Sequence, residues 1–312
     1  MIRHRWYESD RDNDLQRMLA LVSEATIAAG PRAGHLHPGD VVWGLFQNTV
    51  IDPTTRVHLF EEASGELAGF VWLYPPRHFM VALAPGVADP PATFAMMTAW
   101  AETHLSDGAR VAGTPLDAIT TETGSIDHVT SRLLTGVGYR PTGEADFQGN
   151  HQVLDRDLPD VPVPEGATVR AVNGGDERDV AARVDLHREV WAPSKFTVEG
   201  YRRLRERPVY RPDLDLVAVT PEGDLAAYAI VWWDPASRTG LFEPVGSAAR
   251  HRGKRYGSAV MVEGLRRLRA LEATDAVVGC ATRPESEPAR RLYASTGFEV
   301  VCRWETWRKP IA

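Results

Sequence analysis

The segment Arg250-His251-Arg252-Gly253-Lys254-Arg255-Tyr256-Gly257-Ser258-Ala259 is where this chain could hold a phosphate. It follows a strand pattern that ends near Ser247. It precedes a helical pattern over 258–271 with Val260, Met261, Leu265 and Leu268 on one side. A helix start carries unpaired N–H groups and the positive end of the dipole, and together these bind phosphate oxygens. Glycine lets the backbone approach such a ligand closely, and Arg252, Lys254 and Arg255 add positive charge. Taken alone, the same residues read equally well as a solvated basic turn.

Two further stretches accompany the loop. Upstream runs Glu243-Pro244-Val245-Gly246-Ser247, in which Glu243, Val245 and Ser247 share one face of a strand. Downstream runs Ser286-Glu287-Pro288-Ala289-Arg290-Arg291-Leu292-Tyr293-Ala294-Ser295-Thr296-Gly297-Phe298, a short helix that ends before a glycine. The phenol of Tyr293, with an ordinary pKa near ~10, stays protonated at neutral pH and can donate a proton.

Together these stretches resemble the GCN5-related N-acetyltransferase family. The family's cofactor motif, Gln/Arg-x-x-Gly-x-Gly/Ala after the fourth strand, matches residues 252–257, except that Arg255 replaces the central glycine. Gly253 supplies the extra glycine of the Arg-Gly-x-Gly-x-Gly variant. Arg255 can still offer its backbone N–H if its φ is helical and its side chain swings outward. The downstream segment is similar to the family's Asn-x-x-Ala-x-x-Leu-Tyr-x-x-x-Gly-Phe, with Ser286 where an asparagine often contacts pantetheine.

The resemblance implies acetyl-CoA as cofactor, with its pyrophosphate on Arg252, Gly253, Lys254, Arg255, Tyr256, Gly257 and Ser258. It implies that Val245 and Ser247 hold the pantetheine arm through their backbones. Tyr293 falls on the tyrosine that protonates the leaving thiolate. Glu243 lies where relatives place an acid that acts as a base through water. Asp234 is a second candidate base or substrate contact, and Glu243 could instead orient a cation or pair with an arginine. Trp191 and Phe196 could line an acceptor pocket or cap the core. His187 reads as a core or surface histidine rather than a base.

The elements that must position these residues form an α+β pattern. Strands are predicted over 168–172, 214–220, 225–233, 240–247 and 273–281, and helices over 177–190, 198–205, 258–271 and 288–295. A last strand over 298–307 closes the sheet. The hairpin before the loop turns at Pro221-Glu222-Gly223-Asp224.

The pattern recurs in the first half. Gly65-Glu66-Leu67-Ala68-Gly69-Phe70-Val71-Trp72 repeats as Gly223-Asp224-Leu225-Ala226-Ala227-Tyr228-Ala229-Ile230 at an offset of 158 residues, and Arg132-Leu133-Leu134 repeats as Arg291-Leu292-Tyr293 at 159. The mirrored loop falls on residues 94–99, which hold neither glycine nor cation. The partner of Tyr293 is Leu134, and that of Glu243 is Pro85. The resemblance therefore implies two tandem domains, each a mostly antiparallel twisted sheet flanked by helices. Residues 1–158 form a degenerate copy, 159–166 a proline-rich linker (Pro159, Pro162, Pro164), and 167–312 the catalytic copy.

Bulk properties narrow the function. The 312 residues suit two cores. Net charge is −7, which disfavours nucleic acid and suits small cationic amines, or simply keeps the chain dispersed. No apolar run reaches the ~20 residues of a membrane span, and the N-terminal Met1-Ile2-Arg3-His4-Arg5-Trp6 has no apolar signal core. Two cysteines, Cys280 and Cys302, offer neither a disulfide framework nor a cysteine-rich metal site. A cytoplasmic enzyme is expected, without membrane or nucleic-acid partner. It is expected as a monomer, because a tandem chain can bury internally what single-domain relatives bury in dimers; a homodimer is the alternative. The implied reaction is acetylation of a small-molecule primary amine, a cationic antibiotic or metabolite. The alternatives are acetylation of a protein or peptide amine, and an acyl-CoA sensor without turnover.

Overall fold

The computed structural model describes residues 2–9 and 13–311; Met1 of the N-terminal stretch and Ala312 lie outside the described residues. In chain order the elements are β1 (Arg3–Trp6), α1 (Asp14–Ala29), α2 (Pro38–Phe46), β2 (Val57–Glu61), β3 (Leu67–Tyr74), β4 (His78–Leu83), α3 (Pro90–Val111), β5 (Ala118–Gly124), α4 (His128–Gly136), β6 (Arg140–Pro141) and β7 (Phe147–Val153). Then come β8 (Thr168–Ala171), α5 (Glu177–Val190), α6 (Val198–Arg205), β9 (Asp215–Val219), β10 (Leu225–Asp234), β11 (Thr239–Ser247), α7 (Tyr256–Ala270), β12 (Asp275–Ala281), α8 (Glu287–Ser295) and β13 (Glu299–Pro310). The helices and strands predicted for the second half are all present, with ends shifted by at most two or three residues. No helix among the described residues is long and apolar enough to cross a membrane.

The chain forms two compact units, and they do not follow the linear boundary near residue 160. The first comprises Met1–Leu36, Asp52–Gly149 and Val301–Ala312; the second comprises His37–Ile51 and Asn150–Val300. Among the described residues the first unit's strands run β1-β2-β3-β4-β5-β13, with β6 beside β13, and the second's run β8-β9-β10-β11-β12-β7. The two orders are the same, which is the structural counterpart of the internal repeat. The sixth position is exchanged, however. The strand over 298–307 does not close the second unit's sheet: β13 pairs antiparallel with β5 of the first unit, Trp304 opposite Gly124 through Pro310 opposite Ala118.

Side chains explain the exchange. In β7, the Asn150 amide donates to the Val278 carbonyl at 3.0 Å and His151 Nε2 meets Asp275 at 2.6 Å, so both buried polar groups find partners on β12. In β13, Trp307 is buried in the first unit's core and Lys309 pairs with Glu102 at 2.9 Å.

In the second unit β10 is buried along its whole length, as its run Leu-Ala-Ala-Tyr-Ala-Ile-Val-Trp-Trp requires of a central strand covered on both faces. The face of α7 predicted to be apolar, Val260, Met261, Leu265 and Leu268, is buried against it. Contact is close: a Cβ at Gly240 would lie 2.3 Å from Leu268, and one at Gly264 would lie 2.6 Å from Phe242. On the other face lie α5, α6 and α2. The start of α2 is seated on β10 and β11. His37 Nε2 bonds the Thr239 carbonyl at 3.1 Å, and Gly39 rests on Trp232, where a Cβ would come within 2.2 Å of the indole. A capping box holds that start: Gly39 N–H donates to His37 Nδ1 and His37 N–H donates to Asp40.

Candidate active site

β11 and β12 run parallel, but their pairing is confined to Thr239–Leu241 opposite Asp275–Val277. Beyond Leu241 the strands part, and the end of β11, Val245 to Ser247, lines a cleft of about 620 Å³; Glu243 and Tyr293 are not among its lining residues. The cleft brings together Val245, Ser247, Arg252, Gly253, Arg255, Tyr256, Gly257, Ser258, Ser286 and Trp191. Of the residues assigned to the cofactor from sequence, Lys254 alone does not line it.

The loop itself is built to leave donors free. After a short turn over Ala249–His251, Arg252 is extended, Gly253 has φ +77° and Arg255 has φ +66°, immediately before α7. Arg255 thus adopts the left-handed conformation normally supplied by the glycine it replaces, rather than the helical φ expected of it. For a residue with a Cβ this costs ~1–2 kcal/mol. No side chain caps α7, so its first N–H groups point unpaired toward the cleft. Among the described residues Arg252, Lys254 and Arg255 have no ion-pair partner, whereas Arg250 is held by Glu189 at 2.7 Å. Gly257 sits where α7 meets β11: a Cβ there would be 2.9 Å from Ser247 Oγ and 3.3 Å from Leu292.

Glu243 owes its position to an irregular strand. Ala229 pairs with Val245 but Val231 pairs with Phe242, so Ile230 opposes both Glu243 and Pro244. Such a bulge re-aims a side chain, and it accommodates a proline that cannot donate to the ladder. The indole of Trp232 donates to the Glu243 carbonyl at 2.5 Å. Glu243, Val245 and Ser247 alternate with buried neighbours, as the strand period predicts. Burial, and then the charge of Asp40, push the Glu243 carboxyl up to about 8. Burial likewise raises Asp40 to about 6, against the hydrogen bond from His37.

Tyr293 is buried on α8, near Phe298 and Cys280. Burial chiefly, with Cys280, Glu243 and Tyr228, raises its pKa well above the ordinary phenol value, so it is a neutral donor. Among the described residues its hydroxyl has no hydrogen-bond partner. The charge of Glu243 is a minor contributor to the raised pKa, after burial and Cys280.

Other assignments change. Phe196 is buried between Trp43, His187 and Tyr201 at ring distances of 4.4–5.6 Å; it packs the core and is not among the residues lining the cleft. Asp234 is not placed beside the cleft. It sits at the far end of β10 opposite Thr239 and caps the following turn, accepting from Ala236 N–H at 3.1 Å and from Ser237 Oγ at 2.6 Å. Trp191 borders the cleft and donates to Tyr228 at 2.8 Å. His187 is a buried core histidine bonded to the Tyr228 hydroxyl at 2.7 Å, and burial with Arg183 lowers its pKa to about 3. Asp40 and His37 were missed. The local signal for a helix start, His37-Pro38-Gly39-Asp40, is legible in the sequence, but not the sheet it docks on.

The first unit keeps the topology without the groups. The mirrored residues 94–99 lie a turn inside α3, because the β4–α3 connection differs in length from its counterpart; the true helix start is Asp89-Pro90. Ile230 corresponds to Trp72 through the repeat, and Trp72 pairs with Met80, so the register puts Met80 rather than Pro85 in the place of Glu243.

An α+β unit whose parallel central strands part beside an uncapped, basic helix start has the architecture of a CoA-dependent acyltransferase. The sequence profile of the Acetyltransferase (GNAT) family matches residues 183–298, all of which lie within the second unit. No curated protein matches the sequence. Among solved structures, a tandem GNAT protein from the clavulanic acid biosynthesis pathway is 17% identical with a TM-score of 0.63, covering 99% of this chain and 98% of its own. A GCN5-related N-acetyltransferase from Sphaerobacter thermophilus is 20% identical with a TM-score of 0.60, covering 99% and 95%. An N-myristoyltransferase from Saccharomyces cerevisiae, solved with myristoyl-CoA, is 10% identical with a TM-score of 0.55, covering 99% and 81%. At these identities the likeness is one of fold, and it extends over both halves of the chain.

Proposed function

We propose that this chain transfers an acetyl group from acetyl-CoA to the primary amine of a small cationic molecule, with the chemistry carried by the second unit and the first unit a degenerate copy. The observation that supports this most is the parting of β11 and β12 beside the uncapped, basic start of α7. The cleft fits the cofactor on two counts: the α7 start is uncapped, and Arg252 and Arg255 line it without an ion-pair partner among the described residues.

Bound acetyl-CoA supplies the thioester carbonyl that the amine attacks. The N–H groups at the start of α7, with Arg252 and Arg255, hold pyrophosphate oxygens. The unpaired backbone of Val245 and Ser247 orients the pantetheine amides, with Ser286 across the cleft. Glu243 accepts a proton from the incoming ammonium, directly or through one water; a carboxyl near 8 is well matched to that transfer at neutral pH. The Tyr293 hydroxyl would give its proton to the departing sulfur and take back the proton that the amine nitrogen loses as the amide forms. Asp40 adds a second carboxyl beside Glu243, and the pair favours a cationic acceptor over a neutral one.

Steady-state turnover of the full chain, followed by release of free CoA, tests the reading. Small cationic amines should be acetylated. Turnover confined to peptide amino termini would replace the acceptor class. Tight acetyl-CoA binding with no turnover on any amine would leave a sensor rather than an enzyme.

A further inference from the structure

The first unit contains a cavity of its own, of about 420 Å³, within the range of small-molecule sites. It opens because β4 and β5 pair only at His78 opposite Thr120 and then part, as β11 and β12 do in the second unit. Its walls come from α1, β4, α3, β5, α4 and β13, and all lie in this unit. Ala25, Met80, Phe94, Leu133 and Trp304 make it largely apolar.

The helix start at its rim is unfit for phosphate. Pro90 and Pro91 have no N–H, and the next donor, Ala92 N–H, is taken by the Asp89 carboxylate at 3.1 Å. Among the described residues no lysine or arginine lines the cavity. A nucleotide-bearing thioester would therefore meet a carboxylate where it needs donors and cations. The fixed polar groups also have the sign for a cation. Asp127 is spent on Thr130, accepting from its N–H at 3.0 Å and its Oγ1 at 2.6 Å. The half-buried Glu122 lines the cavity and has no hydrogen-bond partner among the described residues; burial and then Asp146 raise its pKa. His35, also in the wall, is pushed toward its neutral form by burial.

We propose that this cavity is a separate binding site for a compact apolar amine, its aryl or alkyl body among Met80, Phe94 and Trp304 and its ammonium on Glu122, filled without CoA. With Met80 and Leu134 in the positions of Glu243 and Tyr293, the site binds and does not catalyse. The inference is independent of the reaction assigned to the second unit.

Crystals of the full chain soaked in 4-bromobenzylamine test it directly. Bromine anomalous density is expected between Met80 and Trp304 with the amine nitrogen at Glu122; density only in the second unit's cleft would overturn the proposal. In titration calorimetry, Glu122→Gln should weaken the amine about tenfold, the worth of one charge-assisted hydrogen bond, and leave 4-bromobenzyl alcohol unchanged. Ala25→Phe, which fills the cavity, should abolish binding of both at this site. Amine affinity equal to wild type in both variants, with unchanged thermal melts showing that they fold, would refute the site.

Discussion

The carboxyl of Asp40 stands close enough to Glu243 to raise its proton affinity, although Asp40 belongs to the first third of the chain and Glu243 to the last. The link between them is mechanical as well as electrostatic. Gly39, the neighbour of Asp40, rests on Trp232, and Trp232 holds the Glu243 carbonyl.

The first prediction is a pH profile. Glu243 is raised to about 8, so its basic form grows in as pH rises toward that value, and kcat/KM should climb with an inflection near it. Asp40→Asn removes the second cause of the rise and leaves burial, the first. The inflection should therefore move down without reaching the ordinary carboxylate range. An inflection that stays in place in Asp40→Asn would show that the two groups are not coupled.

The same shift bears on stability. A carboxyl whose folded pKa is raised binds its proton more tightly when folded, so the stability it contributes is full below ~4.5 and lost as pH rises through about 8. Glu243→Gln should leave Tm nearly unchanged at pH 5 and raise it at pH 9, while abolishing the rising limb of the rate profile. Calorimetric melts at the two pH values decide the matter; an equal effect at both would mean that Glu243 ionises without cost.

Tyr293→Phe keeps the ring packing and removes the donor. Turnover should fall on the order of a hundredfold, the usual worth of a positioned general acid, with acetyl-CoA affinity nearly intact. Loss of affinity with rate preserved would assign the hydroxyl to cofactor binding.

Gly257→Ala drives a methyl to within 2.9 Å of Ser247 Oγ and 3.3 Å of Leu292. Overpacking of this size costs ~1–3 kcal/mol, and it falls where α7 meets the cleft, so CoA binding should weaken. Adding Ser247→Ala removes the nearer atom and should restore part of the affinity. A double variant no better than the single one would place the clash elsewhere.

At Arg255 the left-handed φ of +66° sets an order of stabilities. Arg255→Gly should melt no lower than wild type, whereas Arg255→Val, β-branched and poorly tolerated there, should lose ~1–2 kcal/mol. Equal melts for the two variants would mean that the loop relaxes to another conformation.

Most of the second unit was legible in the sequence because its signals are local. Periodicity placed α5, α6 and α7, the Pro221-Glu222-Gly223-Asp224 turn placed the hairpin, and the residues around Tyr293 marked a helix ending at Gly297. The turn at Asp234-Pro235-Ala236-Ser237 was equally local, and its Asx signal could have excluded Asp234 from the site. Phe196 was undecidable, since an aromatic side chain suits a core and a pocket alike.

By itself the sequence determined the repeated α+β units, the basic helix start, and the loss of that start in the first half, because these depend on residue type and short-range spacing. Only the tertiary structure decided that β7 and β13 exchange places, that α2 brings Asp40 beside Glu243, and that Arg255 is left-handed. Which strand pairs with which edge, and which carboxyl shares another's burial, depend on contacts between residues far apart in the chain. Such contacts are chosen by packing and by the partners available to buried polar groups, and neither is written in any single segment.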